Sequence, residues 1–216
     1  MVENEYVLER YLVGLDLGQA QDYTAIATVK QLKHQKTGAL HYEVVGLERP
    51  PLGTPYGAIV DYVIGMLKST TLSGKCLGQS MGIGAPKEET ELVVDATGCG
   101  RPVVDMLKDK GAPDYAHLVP CTITGGVAVT TTGGMYGVPK RSLVTSLQIL
   151  YQDGRIKVSN GLELGSILAQ ELLNFKAKIN PATGNDSFEA WREKDHDDMV
   201  LAVALAVWWA DTYRKY

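Results

Sequence analysis

The chain has 216 residues, of which 45% are hydrophobic and 21% are charged, and this composition is typical of a single globular domain over residues 1–216. A net charge of −4 and a pI near 5.6 count against a protein that grips nucleic acid through a broad basic face. The longest apolar stretch, residues 199–210, is too short to cross a bilayer, so no membrane partner is expected. The three cysteines form no Cys-x-x-Cys pair and the N-terminus has no apolar signal segment, which favours a cytoplasmic protein.

The first part of the chain is predicted to form an antiparallel meander followed by a helix. Three β-rich segments are joined by short connections, which place consecutive strands side by side in opposite directions. An N-terminal extension, residues 1–10, precedes them. Apolar residues at helical spacing then predict a helix. The predicted strands are residues 11–16, 24–30 and 40–47, and the predicted helix is residues 56–69.

The middle of the chain alternates strand, helix and strand. Residues 70–90 are rich in glycine, serine and lysine without an apolar period, and we expect a long surface loop there. The alternation that follows predicts a parallel crossover in a largely buried sheet. Its elements are a strand at residues 91–95, a helix at 101–110 and a strand at 117–123.

The last part of the chain is predicted to be mainly helical. The segment 124–137 is dense in glycine and threonine, which predicts a loop or an irregular hairpin. Apolar periodicity then predicts three helices with two short strands between them. The predicted helices are residues 140–151, 162–176 and 197–213, and the predicted strands are residues 155–158 and 188–191.

Five aspartates are the candidate functional residues because each lies at the end of an apolar segment or at the start of one. They are Asp16 and Asp95 at two strand ends, and Asp195, Asp197 and Asp198 before the last helix. Each has an ordinary alternative, since aspartate forms turns and caps helices. If the first and fourth strands are neighbours and the last helix packs across them, however, these acids meet at one edge of the sheet. Carboxylates that meet raise one another's pKa unless cations bind, so the set predicts a site for Mg²⁺ or Mn²⁺.

Four short motifs follow one another along the chain, and three of them contain one or two of these acids. They are Gly14-Leu-Asp16-Leu-Gly18 with Asp22-Tyr-Thr24, Val94-Asp95-Ala-Thr-Gly98-Cys-Gly100, Val138-Pro-Lys140, and His196-Asp-Asp198-Met-Val-Leu-Ala. In this order and spacing they resemble the nuclease domain of phage large terminase subunits, which belongs to the RNase H-like, retroviral-integrase superfamily. The similarity runs from about residue 11 to the end of the chain.

The resemblance implies an α/β fold with a mixed sheet of about five main strands, the first three antiparallel, and helices on both faces. It also implies cutting of double-stranded DNA by metal-activated water during genome packaging, with two Mg²⁺ or Mn²⁺ ions as cofactors. By position, Asp16, Asp95 and Asp198 match the family's three core acids, which implies that they are both catalytic residues and metal ligands. Asp195 and Asp197 stand where relatives often place an auxiliary ligand.

Two groups of basic residues are candidates for contact with DNA. Lys140 and Arg141 match the family's Pro-Lys step and are predicted to contact a phosphate, with an ordinary helix-surface role as the alternative. Lys33 and Lys36 lie near the turn between the second and third predicted strands, where charged residues are also common without any function.

The partners of a full terminase include an ATPase motor, and this chain lacks the Gly-x-x-x-x-Gly-Lys-Ser/Thr loop of such a motor. Either the motor is a separate subunit or the chain is an excised domain. The resemblance implies double-stranded DNA and other packaging proteins as further partners. It also implies a phage or prophage protein that acts in the cytoplasm of a bacterial host.

Three alternative functions remain open on the sequence. A Holliday-junction resolvase of the same superfamily would prefer four-way junctions to plain duplex. An ATP-binding domain of the actin and Hsp70 type also opens on a strand with an Asp-x-Gly step, and it would bind ATP. A non-catalytic RNase H-like scaffold would bind neither Mn²⁺ nor ATP.

Overall fold

The computed structural model describes residues 5–18, 22–69, 72, 90–98, 100–178 and 196–213. The strands in this part of the chain are β1 (Tyr6–Asp16), β2 (Ala25–His34), β3 (Leu40–Glu48), β4 (Thr90–Asp95), β5 (Ala116–Thr124), β6 (Thr130–Thr132), β7 (Met135–Pro139) and β8 (Ile156–Val158). The helices are α1 (Tyr56–Leu67), α2 (Gly100–Asp109), α3 (Lys140–Gln152), α4 (Gly165–Lys178) and α5 (Asp198–Trp208). A 3-10 turn at Ala112–Asp114 precedes β5, and a π-helical turn at Trp209–Tyr213 follows α5.

The described strands form one mixed sheet in the order β6-β7-β5-β4-β1-β2-β3-β8. β1, β2 and β3 form an antiparallel meander, whereas β4, β5 and β7 run parallel to β1. The fold class is therefore the predicted one, an RNase H-like mixed sheet whose first three strands are antiparallel. Because β1, β4, β5 and β7 share a direction, their carboxyl ends lie at the same edge of the sheet.

The sheet contains eight strands rather than the five main strands expected. Two of the additional strands come from the glycine- and threonine-rich segment, which forms the hairpin of β6 and β7. Gly133 and Gly134 close this hairpin with φ angles of 57° and 76°, and Thr132 pairs with Met135 across the turn. Left-handed glycines at both central positions are what a two-residue hairpin turn requires. The short strand β8 extends the opposite edge by pairing with β3.

Helices cover both faces of the sheet, as predicted, over two separate hydrophobic cores. α1 and α2 pack on one face, where Val13 and Leu15 of β1 point. α3 and α5 pack on the other face, where Leu12 points. Alternate residues of β1 therefore enter opposite cores, as expected of a strand that is covered on both sides. α5 is buried from its first residue to its last.

The N-terminal part of the sheet is longer than the sequence indicates. β1 begins at Tyr6, so residues 6–10 of the expected extension belong to the sheet. They pair with β2, where Tyr6 lies opposite His34, and this pairing carries β2 beyond its predicted end at residue 30. The mutual hydrogen bonding of the two strands stabilises segments that are too polar to be recognised as strands on their own.

Smaller differences concern the remaining elements. α4 begins at Gly165 rather than at residue 162. The expected loop at residues 70–90 lies outside the described residues except for Leu72 and Thr90, and the predicted strand at 188–191 lies wholly outside them. None of the helices that the structure describes is long and apolar enough to span a membrane.

Candidate metal centre

Asp16 and Asp95 occupy corresponding positions at the ends of two neighbouring parallel strands. β1 ends at Asp16 and β4 ends at Asp95, and the register pairs Leu15 with Val94 directly before them. Both residues are buried, with 7% and 9% of their surface exposed. The negative charge of Asp95 contributes to raising the pKa of Asp16. Two carboxylates at adjacent strand ends repel each other, so a shared proton or a nearby positive charge stabilises the pair.

The third acid arrives on α5, which packs closely on β1 because β1 carries a glycine. A methyl group at Gly14 would lie 1.8 Å from the carbonyl oxygen of Ala202. Only a residue without a side chain allows the α5 backbone to approach β1 so closely. Ala202 lies about one helical turn after Asp198, and Gly14 lies two residues before Asp16. The close approach therefore brings Asp198 to the edge at which β1 ends.

Asp16, Asp95, Asp197 and Asp198 are hereafter called the acidic cluster. Burial raises the pKa of Asp16 well above its ordinary value, and the charges of Asp95, Asp198 and Asp197 raise it further. Lys140 lowers the pKa of Asp16, but by less than the other effects raise it. The cluster thus contains more negative charge than its own neighbours compensate, which is the electrostatic condition that a bound cation relieves.

Asp95 is oriented by the loop that follows its strand. Its Oδ1 accepts hydrogen bonds from the Thr97 backbone N–H at 2.8 Å and from the Thr97 hydroxyl at 2.5 Å. Burial raises the pKa of Asp95, and these two hydrogen bonds oppose the effect because they stabilise the carboxylate. The Thr97 hydroxyl also accepts a hydrogen bond from the Ile123 backbone N–H at 2.9 Å, which ties the loop to β5. Thr97, in the loop that follows β4, therefore holds the Asp95 side chain in one orientation.

Asp198 is the most unusual carboxylate of the cluster. Burial raises its pKa to about 7, and the charges of Glu171, Asp197 and Asp22 contribute in the same direction, while Arg49 opposes them. Its Oδ2 atom is buried and has no hydrogen-bond partner within the described part of the chain. A buried carboxylate oxygen without a hydrogen bond is costly, and a metal ion is one group that can satisfy it.

Lys140 lies inside the acidic cluster rather than on an open helix surface. It is the first residue of α3, directly after the end of β7, and its Nζ lies 3.0 Å from Asp197 Oδ2. The side chain is only 15% exposed. The next residue, Arg141, is exposed. Lys140 therefore contacts the acidic cluster and neutralises part of its charge. Arg141, the second predicted phosphate contact, is exposed to solvent next to it.

The start of α5 is capped by Glu171 of α4, not by the aspartates that precede the helix. Asp197 occupies the N-cap position and makes no side-chain cap hydrogen bond. The backbone N–H groups of Met199 and Val200 donate instead to Glu171 Oε2, at 3.1 and 3.2 Å. The capping role that the sequence allows for the aspartates is thus performed by a distant glutamate, and Asp197 and Asp198 are left for other contacts.

Arg49 joins Glu171 to the acidic cluster. It follows β3 directly, and its guanidinium donates a hydrogen bond to Glu171 Oε1. The same Nη2 atom lies 3.6 Å from Asp198 Oδ2, and the guanidinium lies 4.7 Å from the centre of the Tyr23 ring. A buried arginine in such a position is held by its carboxylate partner and by the aromatic face.

Two of the predicted DNA contacts, Lys33 and Lys36, lie away from the acidic cluster, whereas His196 lies at its rim. Lys33 is near the end of β2 that pairs with the beginning of β1, and Lys36 follows in the turn, so both lie at the sheet edge opposite to Asp16. His196 is 54% exposed at the rim of the cluster, with Nδ1 3.8 Å from Asp198 Oδ2. Asp195 lies outside the described residues.

The residues present suit a divalent cation in their chemistry. Hard carboxylate oxygens are the preferred ligands of Mg²⁺ and Mn²⁺, and Asp198 Oδ2 is buried without a hydrogen bond in the described part of the chain. No three histidine, cysteine, aspartate or glutamate side chains among the described residues already converge in the geometry of a metal site. Lys140 and Arg49 supply the positive charge next to the carboxylates instead.

Sequence reasoning did not find Thr97, Arg49 or Glu171. Thr97 follows Asp95 at the spacing of an Asx turn, and this local signal was available. Arg49 and Glu171 give no comparable signal, because a charged residue after a strand or on a helix usually faces water. Their roles follow from the packing of α4 against α5, which buries Glu171.

Comparisons with known proteins concern the fold. No family model matches the chain, and no curated protein sequence matches it. Among solved structures, the human cytomegalovirus terminase nuclease domain, Mn soaked and inhibitor bound, has a TM-score of 0.55 at 13% identity, over 97% of this chain and 86% of that one. The same domain, Mn soaked, has a TM-score of 0.54 at 13% identity, and the match covers 98% of this chain and 87% of that one. The large terminase nuclease domain of bacteriophage SPP1 with bound Mn has a TM-score of 0.43 at 11% identity, over 77% and 69%.

At 13% identity over nearly the whole chain, the similarity to the cytomegalovirus domain concerns architecture and not individual residues. It agrees with the antiparallel meander, the parallel strands and the helices on both faces that the structure contains. The resemblance found in the motifs is confirmed at the level of the fold: the chain has the fold of a terminase nuclease domain.

Proposed function

We propose that this protein is a metal-dependent endonuclease that hydrolyses phosphodiester bonds of double-stranded DNA. The observation that carries the proposal is the placement of the buried Asp16 and Asp95 at the ends of adjacent parallel strands, where the charges of Asp95 and Asp198 both raise the pKa of Asp16. This arrangement opposes stability in the absence of cations, because burial and mutual repulsion both disfavour the charged forms. Binding of divalent cations accounts for the crowding of these carboxyl groups, because the cations neutralise their charge.

Asp16, Asp95 and Asp198 are the proposed catalytic residues and metal ligands, with Asp197 and Asp195 as additional ligands. These residues would hold two Mg²⁺ or Mn²⁺ ions, which would supply a water of lowered pKa for attack and positive charge for the leaving 3′ oxygen. The chain's own contribution is to fix the ligands. Thr97 orients Asp95 through two hydrogen bonds, and the Gly14 contact with α5 fixes the position of Asp198.

Two basic residues at the start of α3 support a nucleic-acid substrate. Lys140 at the cluster and the exposed Arg141 beside it are placed to contact a phosphate that approaches the sheet edge. Lys33 and Lys36 would contact DNA only at a distance from the cut.

The biological setting is proposed from the motif resemblance together with the fold. Two solved structures with a similar fold are human cytomegalovirus terminase nuclease domains that were soaked with Mn. Because the motifs resemble those of phage large terminases, we propose that the protein cuts concatemeric phage DNA during genome packaging, as one domain over residues 1–216. A separate ATPase motor subunit and other packaging proteins would be its partners. It would act in the cytoplasm of a bacterial host, as a phage or prophage protein.

Plasmid digestion tests the proposal. We expect the protein to nick or linearise supercoiled plasmid with Mn²⁺ or Mg²⁺ and to be inactive with EDTA. Asp16→Asn should abolish cleavage while the circular dichroism spectrum is unchanged, because the site loses the ligand between the other acids. Asp105→Asn, at an aspartate that is 73% exposed on α2, is the matched control and should cleave like the wild type.

Two outcomes would contradict the proposal. Full activity of Asp16→Asn would exclude the acidic cluster as the catalytic site. Binding of ATP in calorimetry, with no cleavage of plasmid, would replace the nuclease by an ATP-binding function. A four-way junction added as a second substrate separates a junction resolvase from a duplex nuclease, because a resolvase cuts the junction preferentially.

A further inference from the structure

Glu171 makes a different contact with each of its two carboxylate oxygens. Oε2 accepts the backbone N–H groups of Met199 and Val200, the first donors of α5 that follow Asp198. Oε1 accepts a hydrogen bond from the Arg49 guanidinium. The glutamate is only 5% exposed, so both contacts are shielded from water. One side chain thus binds the start of the helix that carries Asp198 and the arginine that lies nearest to Asp198.

The hydrogen bonding of Arg49 is directed to Glu171 and not to Asp198. Its Nη2 atom bonds Glu171 Oε1, whereas Asp198 Oδ2 is 3.6 Å away, beyond hydrogen-bond distance. Asp198 Oδ2 is consequently buried without a hydrogen bond in the described part of the chain. The Arg49 side chain is only 13% exposed, and a charge so shielded from water is unfavourable unless a carboxylate pairs with it. Glu171 is the carboxylate that this guanidinium bonds.

We propose that Glu171 is a positioning residue that keeps Asp198 available to a divalent cation, by binding the Arg49 guanidinium and the N-terminus of α5. The inference rests on the proposed function, since it concerns the metal affinity of the same site. Without the negative charge of Glu171, Asp198 is the remaining buried carboxylate within reach of Arg49. The guanidinium then competes with the metal ion for Asp198.

Calorimetric titration with MnCl₂ and no DNA tests this role. Glu171→Gln keeps a carbonyl oxygen for the N–H groups of Met199 and Val200 but loses the charge that binds Arg49. We expect Glu171→Gln to bind Mn²⁺ about tenfold more weakly than the wild type, a common effect of losing a residue that supports a metal ligand. The double variant Glu171→Gln with Arg49→Met should regain Mn²⁺ affinity to within a few-fold, because the competing guanidinium is gone.

Asp211→Asn is the matched control. Asp211 is a buried carboxylate in the π-helical turn that follows α5, where it accepts a hydrogen bond from Arg155 at 2.9 Å. Its substitution removes one negative charge and one arginine partner, as Glu171→Gln does, but about 20 Å from the cluster. We expect its Mn²⁺ affinity to equal that of the wild type. Thermal unfolding of all variants then separates loss of the site from loss of the fold.

Three results would overturn the inference. Wild-type affinity in Glu171→Gln would mean that Glu171 does not protect Asp198. A double variant as weak as Glu171→Gln would mean that the glutamate acts only through the helix cap. A wild-type protein that binds no Mn²⁺ at all would overturn the proposed function together with the inference, whereas the first two results leave the proposed function intact.

Discussion

The start of α5 and the π-helical turn that follows its C-terminus, here called its two ends, are built from the same residue types and have opposite electrostatic character. Each end places a buried aspartate beside a partly buried arginine, Asp198 beside Arg49 at the start and Asp211 beside Arg155 at the end. At the C-terminal end, Asp211 Oδ1 accepts hydrogen bonds from Arg155 at 2.9 Å and from the Tyr42 hydroxyl at 3.2 Å. At the N-terminal end, Asp198 Oδ2 accepts none in the described part of the chain.

The difference comes from what surrounds each aspartate. Around Asp211 the neighbours are donors, and the Tyr42 hydroxyl stays protonated because burial, followed by the charge of Asp211, raises its pKa. Around Asp198 the neighbours include further carboxylates, and the nearest arginine is bonded to one of them. An arginine–aspartate pair therefore stabilises the fold at one end and leaves a requirement for positive charge at the other. Four predictions test this contrast, from the largest expected effect to the smallest.

Removing one carboxylate charge should lower the cleavage rate strongly at Asp198 and only slightly at Asp211. We expect Asp198→Asn to lower Mn²⁺-dependent plasmid cleavage by at least about a hundredfold, the usual cost of losing a group that stabilises charge in the transition state. Asp211→Asn should retain most of the activity, because its partners lie far from the acidic cluster. Initial cleavage rates at saturating Mn²⁺ measure both. Equal losses in the two variants would mean that α5 matters only for folding.

The middle of α5 contacts β1 at Gly14, next to Ala202. Gly14→Ala should lower the free energy of unfolding by about 3 kcal/mol, because the new methyl group meets the Ala202 carbonyl and the helix must move. It should also lower cleavage, since the same movement displaces Asp198. The control is Gly65→Ala on α1, where a methyl group meets nothing within 4 Å. That substitution should raise stability by up to about 1 kcal/mol.

Urea denaturation of both glycine variants gives these free energies. If Gly14→Ala is as stable as the wild type, α5 does not lie against β1 as described, and the position assigned to Asp198 fails with it.

The two aspartates should have opposite effects on stability when no metal is present. At pH 8 in EDTA, we expect Asp198→Asn to raise the free energy of unfolding by about 2 kcal/mol, because it removes a buried charge whose pKa is raised. Asp211→Asn should lower it by about 3 kcal/mol, because Arg155 loses its buried partner. Chemical denaturation measures both. Effects of the same sign would contradict the contrast between the two ends.

The stability of the metal-free protein should fall as the pH rises. The pKa of Asp198 is about 7 in the folded protein and about 4 when unfolded, so the folded state holds its proton more tightly. The stabilisation is complete below about pH 4 and is lost as the pH rises through about 7. We expect a decrease on the order of 2 kcal/mol, and a smaller decrease in Asp198→Asn. Added Mn²⁺ should remove most of the pH dependence at pH 8, as denaturation curves with and without the ion would reveal.

The aspartates of this site were predictable from the sequence, because each lies next to a short apolar segment that can be recognised on its own. Asp16 and Asp95 end apolar strands, and parallel neighbours place such ends together, so both residues were predicted with their strands. Asp198 was predicted from its place before a long apolar helix. The hairpin of β6 and β7 could not be told from a loop, because β6 is three exposed residues and neither strand shows an apolar alternation.

The sequence by itself therefore determined the meander, the parallel crossover and the acids at the sheet edge, since each follows from local apolar periodicity. Only the tertiary structure decided which charges meet. Glu171 binds Arg49 across 122 positions of sequence, and Lys140 reaches Asp197 across 57. No local pattern encodes contacts of that range, because they arise when α3, α4 and the end of β3 pack around the start of α5. That packing leaves Asp198 Oδ2 without a hydrogen bond in the described part of the chain, while Asp211, in the turn that follows α5, accepts hydrogen bonds from Arg155 and Tyr42.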